Sequence, residues 1–201
     1  MKIKSFSTSE NVSRAIIALH GWTGNIHSME PVTKMLKMKN TKWILPEAPY
    51  KSSKSGFSWF NKIKKNNWYY LKSFNFLSKI IISLKEEGFQ NSQIFMLGFS
   101  QGACISIEFM IRQKFSIGGI IPISGFIRFK NQVEIDATSE SKKTSILLIH
   151  GENDKIIDCT ESKEALKTLR GIGYPTFIEL FSSGHKIPIQ ARDRIQRFIY
   201  R

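Results

Sequence analysis

The chain is short of cysteine, of acid and of long apolar runs, and each shortage excludes something. Its 201 residues hold two cysteines, Cys104 and Cys159. That is too few for a disulfide framework or a thiolate metal cluster, so two free thiols are expected and no metal or organic cofactor. No apolar stretch approaches the roughly 20 residues of a membrane-spanning helix. The longest near the start, Ala15-Ile16-Ile17-Ala18-Leu19, is the size of a strand. Lysines stand at positions 2 and 4, but no signal-type apolar segment with a small-residue cleavage site follows them. A cytoplasmic protein without stable membrane insertion is the expectation. Repeats, low-complexity blocks and linkers are also missing, and the length suits one domain over residues 1–201.

Sixteen acids against 30 bases leave a formal net charge of +14. Such a balance invites nucleic acid as a partner. The 22 lysines and eight arginines are spread over nearly the whole length, though, in a chain that is also rich in Ile, Asn and Phe. No helix-turn-helix, RNA-binding-sheet or zinc-finger pattern accompanies them. General composition bias accounts for the charge, and no nucleic-acid partner is expected.

What is present is an alternation of short apolar runs with helical patterns. Strands are expected at 15–19, 43–45, 94–97, 117–123, 146–149 and Thr176–Phe181. Several are apolar without a period of two, as in a parallel sheet buried on both faces. Helices are expected at 29–38 with Ser28 as cap, 67–87, 101–114, 160–169, and from about Pro188 to the end. In the second of these, Leu71, Phe74, Leu77, Ile81 and Leu84 fall on one stripe, and Gly88 stops it. The fold class is α/β, a mostly parallel sheet with helices on both faces.

Directly after the run at 94–97 comes Gly98-Phe99-Ser100-Gln101-Gly102. A G-x-S-x-G between strand and helix is the nucleophile elbow of α/β-hydrolases. A serine hydroxyl is a poor nucleophile until a base, an orienting acid and an oxyanion hole surround it, and in this fold the partners follow in the order Ser, acid, His. The acid candidate is Asp154, in His150-Gly151-Glu152-Asn153-Asp154 at a strand end; Glu152 and Asp158 are the alternatives, Asp158 also suiting a helix cap. Of four histidines, only His185 follows both Ser100 and Asp154, while His150 suits a buried, hydrogen-bonded strand end. The oxyanion hole needs two backbone N–H groups. Gln101, at a helix N-terminus, and Trp22, in Leu19-His20-Gly21-Trp22-Thr23-Gly24, are the candidates.

The chain resembles the phospholipase/carboxylesterase family that includes acyl-protein thioesterases. The likeness rests on Leu19-His20-Gly21, Leu45-Pro46-Glu47-Ala48-Pro49, Ser58-Trp59-Phe60, the Ser100 pentapeptide, His150-Gly151-x-x-Asp154-x-x-Ile157 and Gly184-His185-x-Ile187-Pro188. It implies Ser100, Asp154 and His185 as triad, the Trp22 and Gln101 amides as oxyanion hole, and Trp59 and Phe60 flanking the acyl pocket. Trp22 is bulkier than the residue expected after His-Gly, and Asn61 stands where an acid often follows Trp-Phe. The implied activity is hydrolysis of small-molecule or lipid esters or thioesters through an acyl-enzyme. A lysophospholipase or peptidase on the same triad is the alternative, and a non-enzymatic binding protein on this scaffold would normally lack a triad member. The 22 residues at 124–145, polar and loop-like, are too few for a substantial cap. Lys51, Lys54, Lys62, Lys64 and Lys65 bracket the aromatic segment 57–60. They read either as a solvated loop or as an attractor of anionic substrates.

Overall fold

The structure, a computed structural model, describes residues 1–64 and 67–201, with Ile63, Lys64 and Asn67 described as backbone only. Lys65 thus lies outside the described residues. In chain order the elements are β1 (Ile3–Ser7), β2 (Arg14–Leu19), α1 (Glu30–Leu36), β3 (Thr41–Pro46), β4 (Tyr50–Lys51), β5 (Phe57–Ser58), β6 (Asn61–Lys64), β7 (Asn67–Tyr69) and α2 (Leu71–Glu86). Then follow β8 (Ile94–Phe99), α3 (Gln101–Ile111), β9 (Gly119–Ile123), α4 (Val133–Asp136), β10 (Ile146–Gly151), α5 (Thr160–Gly171), β11 (Thr176–Phe181) and α6 (Arg192–Ile199).

Seven strands form one sheet in the order β1-β3-β2-β8-β9-β10-β11, parallel from β3 onward. The unalternating apolar runs become its centre, where β9 and β10 are buried at every residue. Two apolar layers cover it: α2, α3 and α5 pack on one face, α1 and α6 on the other. In α6 the inward residues are Ile195, Phe198 and Ile199, as their spacing requires. Register brings the strand ends level, Leu19 opposite Gly98, Phe99 opposite Ile123 and Gly151 opposite Phe181. The loops that follow therefore open on one edge, where ligands bind in open α/β sheets.

Several expected boundaries shift. Residues 67–69 are not the start of a helix but strand β7, paired antiparallel with β6, and α2 begins at Leu71. Trp68 and Tyr69 favour an extended, half-covered surface, and a partner strand lies a few residues upstream. As a result Leu71 is exposed, and the buried stripe is Phe76, Leu77, Ile80, Ile81 and Leu84. Ser28 does not cap α1. Its hydroxyl accepts the Asn25 N–H at 2.9 Å, and the helix opens at Glu30 with Pro31 in its first turn. Pro188 is extended and precedes a 3-10 turn, Ile189–Ala191, before α6 begins. β1 adds an antiparallel edge strand that no apolar run announced, and the segment 124–145 contains the single turn α4.

Candidate active site

The elbow is made by steric demand at two glycines. A Cβ on Gly98 would overlap the Gly102 carbonyl, and one on Gly102 would overlap the carbonyl of Leu19. Stripped of side chains there, α3 starts hard against the end of β2. Between them Ser100 takes φ 53° and ψ −115°, a conformation costing about 1–3 kcal/mol for a non-glycine residue. Neighbouring contacts hold it in place: its N–H donates to Ile123 O at 2.8 Å, and its carbonyl accepts from Ala103 and Cys104.

The hydroxyl of Ser100 lies 3.1 Å from Nε2 of His185. Nδ1 of the same ring lies 2.7 Å from Oδ2 of Asp154. A carboxylate only accepts, so Nδ1 carries the proton and Nε2 is free to accept from the serine. The loops after β10 and β11 are tied together to permit this, Glu152 N–H donating to Phe181 O and Asn153 N–H to Ser183 O. The other oxygen of Asp154 accepts from Ile156 N–H at 2.9 Å and Ile157 N–H at 3.0 Å. Burial pushes the carboxyl pKa up, but the Ile157 N–H, the His185 ring and the Ile156 N–H outweigh it. The net result is a carboxyl that titrates below its ordinary range. Glu152 is exposed, and Asp158 accepts the Thr160 N–H at the start of α5.

The loop after β2 approaches Ser100 through Gly21, and Gln101 follows the serine as the first residue of α3. Gly21 packs close enough that a Cβ there would lie 3.5 Å from Ser100 Cβ, and Trp22 follows it. Neither the Trp22 nor the Gln101 amide donates a hydrogen bond among the described residues. The loop that carries Trp22 is braced from below by His20, fully buried, whose Nδ1–H donates to Gly21 O at 2.7 Å while Nε2 accepts the Ala48 N–H at 3.1 Å. Burial lowers the His20 pKa, only partly opposed by the Gly21 carbonyl.

The side chain of Gln101 does a second job that spacing did not announce. Its Oε1 accepts the Trp59 N–H at 2.8 Å and its Nε2 donates to Ser58 Oγ at 3.0 Å. Trp59 is wholly buried, with its indole N–H on the His20 carbonyl at 2.8 Å. It therefore does not flank a pocket, and supports the wall from behind. Phe60 does line one: a cavity of about 450 Å³ bordered by Trp22, Lys51, Ser58, Phe60, Trp68 and Gln101. His150 is buried and hydrogen-bonded at the end of β10, as expected from its place in the sequence. His20, the Gln101 side chain and Trp68 are the contributors that sequence reasoning missed, His20 having been visible only within Leu19-His20-Gly21.

A serine at a strained elbow, then an acid, then a histidine, each at the end of a strand of one parallel sheet, define an α/β-hydrolase of the serine-hydrolase class. Within that class the chain belongs to the phospholipase/carboxylesterase family, which it matches over residues 4–201. It is 28% identical over 174 residues to acyl-protein thioesterase 1 of Cryptococcus neoformans, covering 79% of this chain and 73% of that protein. It is 29% identical over 113 residues to a probable inactive carboxylesterase of rice, Oryza sativa subsp. japonica, covering 56% of this chain and 46% of that protein. In fold it resembles SOBER1 of Arabidopsis thaliana, with a TM-score of 0.83, 24% identity and coverage of 93% and 97% of the two chains.

Proposed function

We propose that the chain hydrolyses carboxylic esters or thioesters through an acyl-enzyme on Ser100. The observation that carries this reading is the unbroken relay from Ser100 Oγ through His185 to Asp154, at 3.1 and 2.7 Å. In the first half-reaction Ser100 Oγ attacks the carbonyl carbon as its proton passes to His185 Nε2. The resulting oxyanion is met by the Trp22 and Gln101 amides, each such donor typically worth about 3 kcal/mol of barrier. Collapse of the tetrahedral adduct expels the alcohol or thiol, which takes the proton from His185. Water then enters, activated by the same ring, and releases the acid and free Ser100. Asp154 stays ionised throughout and holds the imidazole with Nδ1–H toward itself.

Residues 1–201 are read as one hydrolase domain, since strands from both ends of the chain join one sheet and α6 closes its second face. A cytoplasmic location is proposed with it, supported by the two free cysteines. No helix among the described residues is long and apolar enough to cross a membrane.

The test is covalent. Ser100 should be labelled by a neutral fluorophosphonate, and Ser100→Ala should lose both label and turnover of short aryl esters and acyl-thioesters. Turnover surviving in Ser100→Ala, or an unlabelled wild type, would overturn the reading in favour of a binding protein on a hydrolase scaffold.

A further inference from the structure

The cavity beside Gln101 has aromatic walls and a cationic rim. From residue 48 to residue 85 the sequence contains eight lysines and no acid. Three lysines outside this segment meet carboxylates: Lys4 meets Glu30 at 2.8 Å, Lys42 meets Glu87, and Lys130 meets Glu161 at 2.9 Å and Glu164 at 2.7 Å. Around the cavity no carboxylate is at hand among the described residues. Lys51 and Lys62 line it and form no ion pair among the described residues. Lys54 Nζ stands 5.3 Å over the Trp22 ring, and Lys62 Nζ stands 5.7 Å over that of Trp68.

Behind the same indole lies Arg128, from the loop after β9. Its guanidinium carbon is 3.7 Å from the Trp68 ring centre and 5.4 Å from that of Phe60. It is half-buried, and its Nε has no hydrogen-bond partner among the described residues. The nearby carboxylate of Glu108 is already taken, Oε2 by Arg112 at 2.6 Å and Oε1 by the backbone N–H groups of Arg128 and Phe129. Desolvation lowers the Arg128 pKa, against the raising influence of Cys104 and Glu108. A half-buried guanidinium with an unused donor, stacked on a cavity wall, is incompletely compensated by the protein itself.

We propose that this cavity takes the acyl part of an ester or thioester whose far end carries an anion, a carboxylate or a phosphate. Lys51 and Lys62 receive that anion, Arg128 adds positive charge from behind the Trp68 ring, and Trp22, Phe60 and Trp68 cover the intervening carbons. An all-aliphatic acyl chain would give the two lysines at the rim no anion to meet. An anionic terminus satisfies them and is drawn in from solution by the acid-free 48–85 segment. This inference rests on Ser100 being the nucleophile.

The experiment compares aryl esters of matched length ending in a methyl, a carboxylate, a phosphate or an ammonium group. The readout is the ratio of kcat/KM for each charged ester to that of the methyl ester. Wild type should favour an anionic ester by about tenfold, and the ratio should fall severalfold when salt shortens the Debye length from about 10 Å toward 3 Å. The carboxylate and phosphate arms tell which anion is preferred. Lys51→Glu/Lys62→Glu should invert the ratio toward the ammonium ester, a gain that misfolding cannot imitate. Arg128→Gln should lower the anionic ratio as well. Equal ratios at all salt concentrations, or no inversion in the double variant, overturn the anion site while neutral-ester turnover and Ser100 labelling keep the esterase reading. Loss of labelling in wild type overturns both.

Discussion

One oxygen of Asp154 faces two imidazoles: Oδ2 lies 2.7 Å from His185 Nδ1 and 3.3 Å from His150 Nε2. The rings are held differently. His185 is partly exposed and touches Ser100, whereas His150 is fully buried between Ser162 Oγ at 2.6 Å and the Ile157 carbonyl at 2.9 Å. His150 thus brackets the carboxylate from behind, and His185 is the ring positioned to carry a proton.

Replacing the acid should leave the serine in place but undo the choice of tautomer. Asp154→Asn is expected to lower kcat by about 10⁴-fold with little change in KM, because the amide no longer requires Nδ1 to be the donor. Steady-state kinetics on a short aryl ester check this. A loss below about tenfold would move the orienting role elsewhere.

Gln101 separates backbone from side-chain duty. Gln101→Ala keeps the amide at the helix N-terminus but deletes the clamps on Trp59 N–H and Ser58 Oγ. About a tenfold fall in kcat/KM is expected, equivalent to roughly 1.4 kcal/mol. Gln101→Glu, which retains the acceptor for Trp59, should recover part of it. Identical kinetics in Gln101→Ala and wild type would show the clamp to be dispensable.

His20 couples stability to pH. Its folded pKa is lowered, chiefly by burial, so the unfolded chain takes up a proton that the folded chain refuses. Above the unfolded value of about 6.5 both forms are neutral and nothing is lost. As pH falls below that value, stability declines until the folded pKa is reached. Melting temperatures from pH 7.5 to 5.5 should therefore drop more steeply in wild type than in His20→Gln. Parallel slopes would contradict the argument.

Glu108 anchors the loop that carries Arg128. Its side chain is fully buried and serves Arg112 and two backbone N–H groups. Glu108→Ala strands all three, and the expected loss is about 3–5 kcal/mol. Glu108→Gln, able to accept still, should lose less. Urea unfolding of the three proteins measures the difference directly.

The central strands were readable because burial on both faces leaves no room for polar residues, as in the runs ending at Leu19 and Leu97. Edge features were not. β1 alternates weakly and is mostly exposed, and the β6–β7 pair overrode a helical reading of residues 67–69 through a strand partner that periodicity cannot register. The proposed triad of Ser100, Asp154 and His185 was legible by order and by its place at strand ends. Trp59 was misjudged, since a motif neighbour of a pocket residue can equally be its support.

The sequence by itself determined the elbow, because only glycine fits at positions 98 and 102, and it determined the order serine, acid, histidine. Which atoms meet was decided by tertiary structure alone. Ser100 and His185 are 85 residues apart, and only the parallel register of five strand ends brings their loops to one edge. The same holds for Arg128 on Trp68. Nothing local ties them, and their contact exists because the loop after β9 and the β6–β7 pair are packed over a shared aromatic cluster of Phe60, Tyr70 and Phe129.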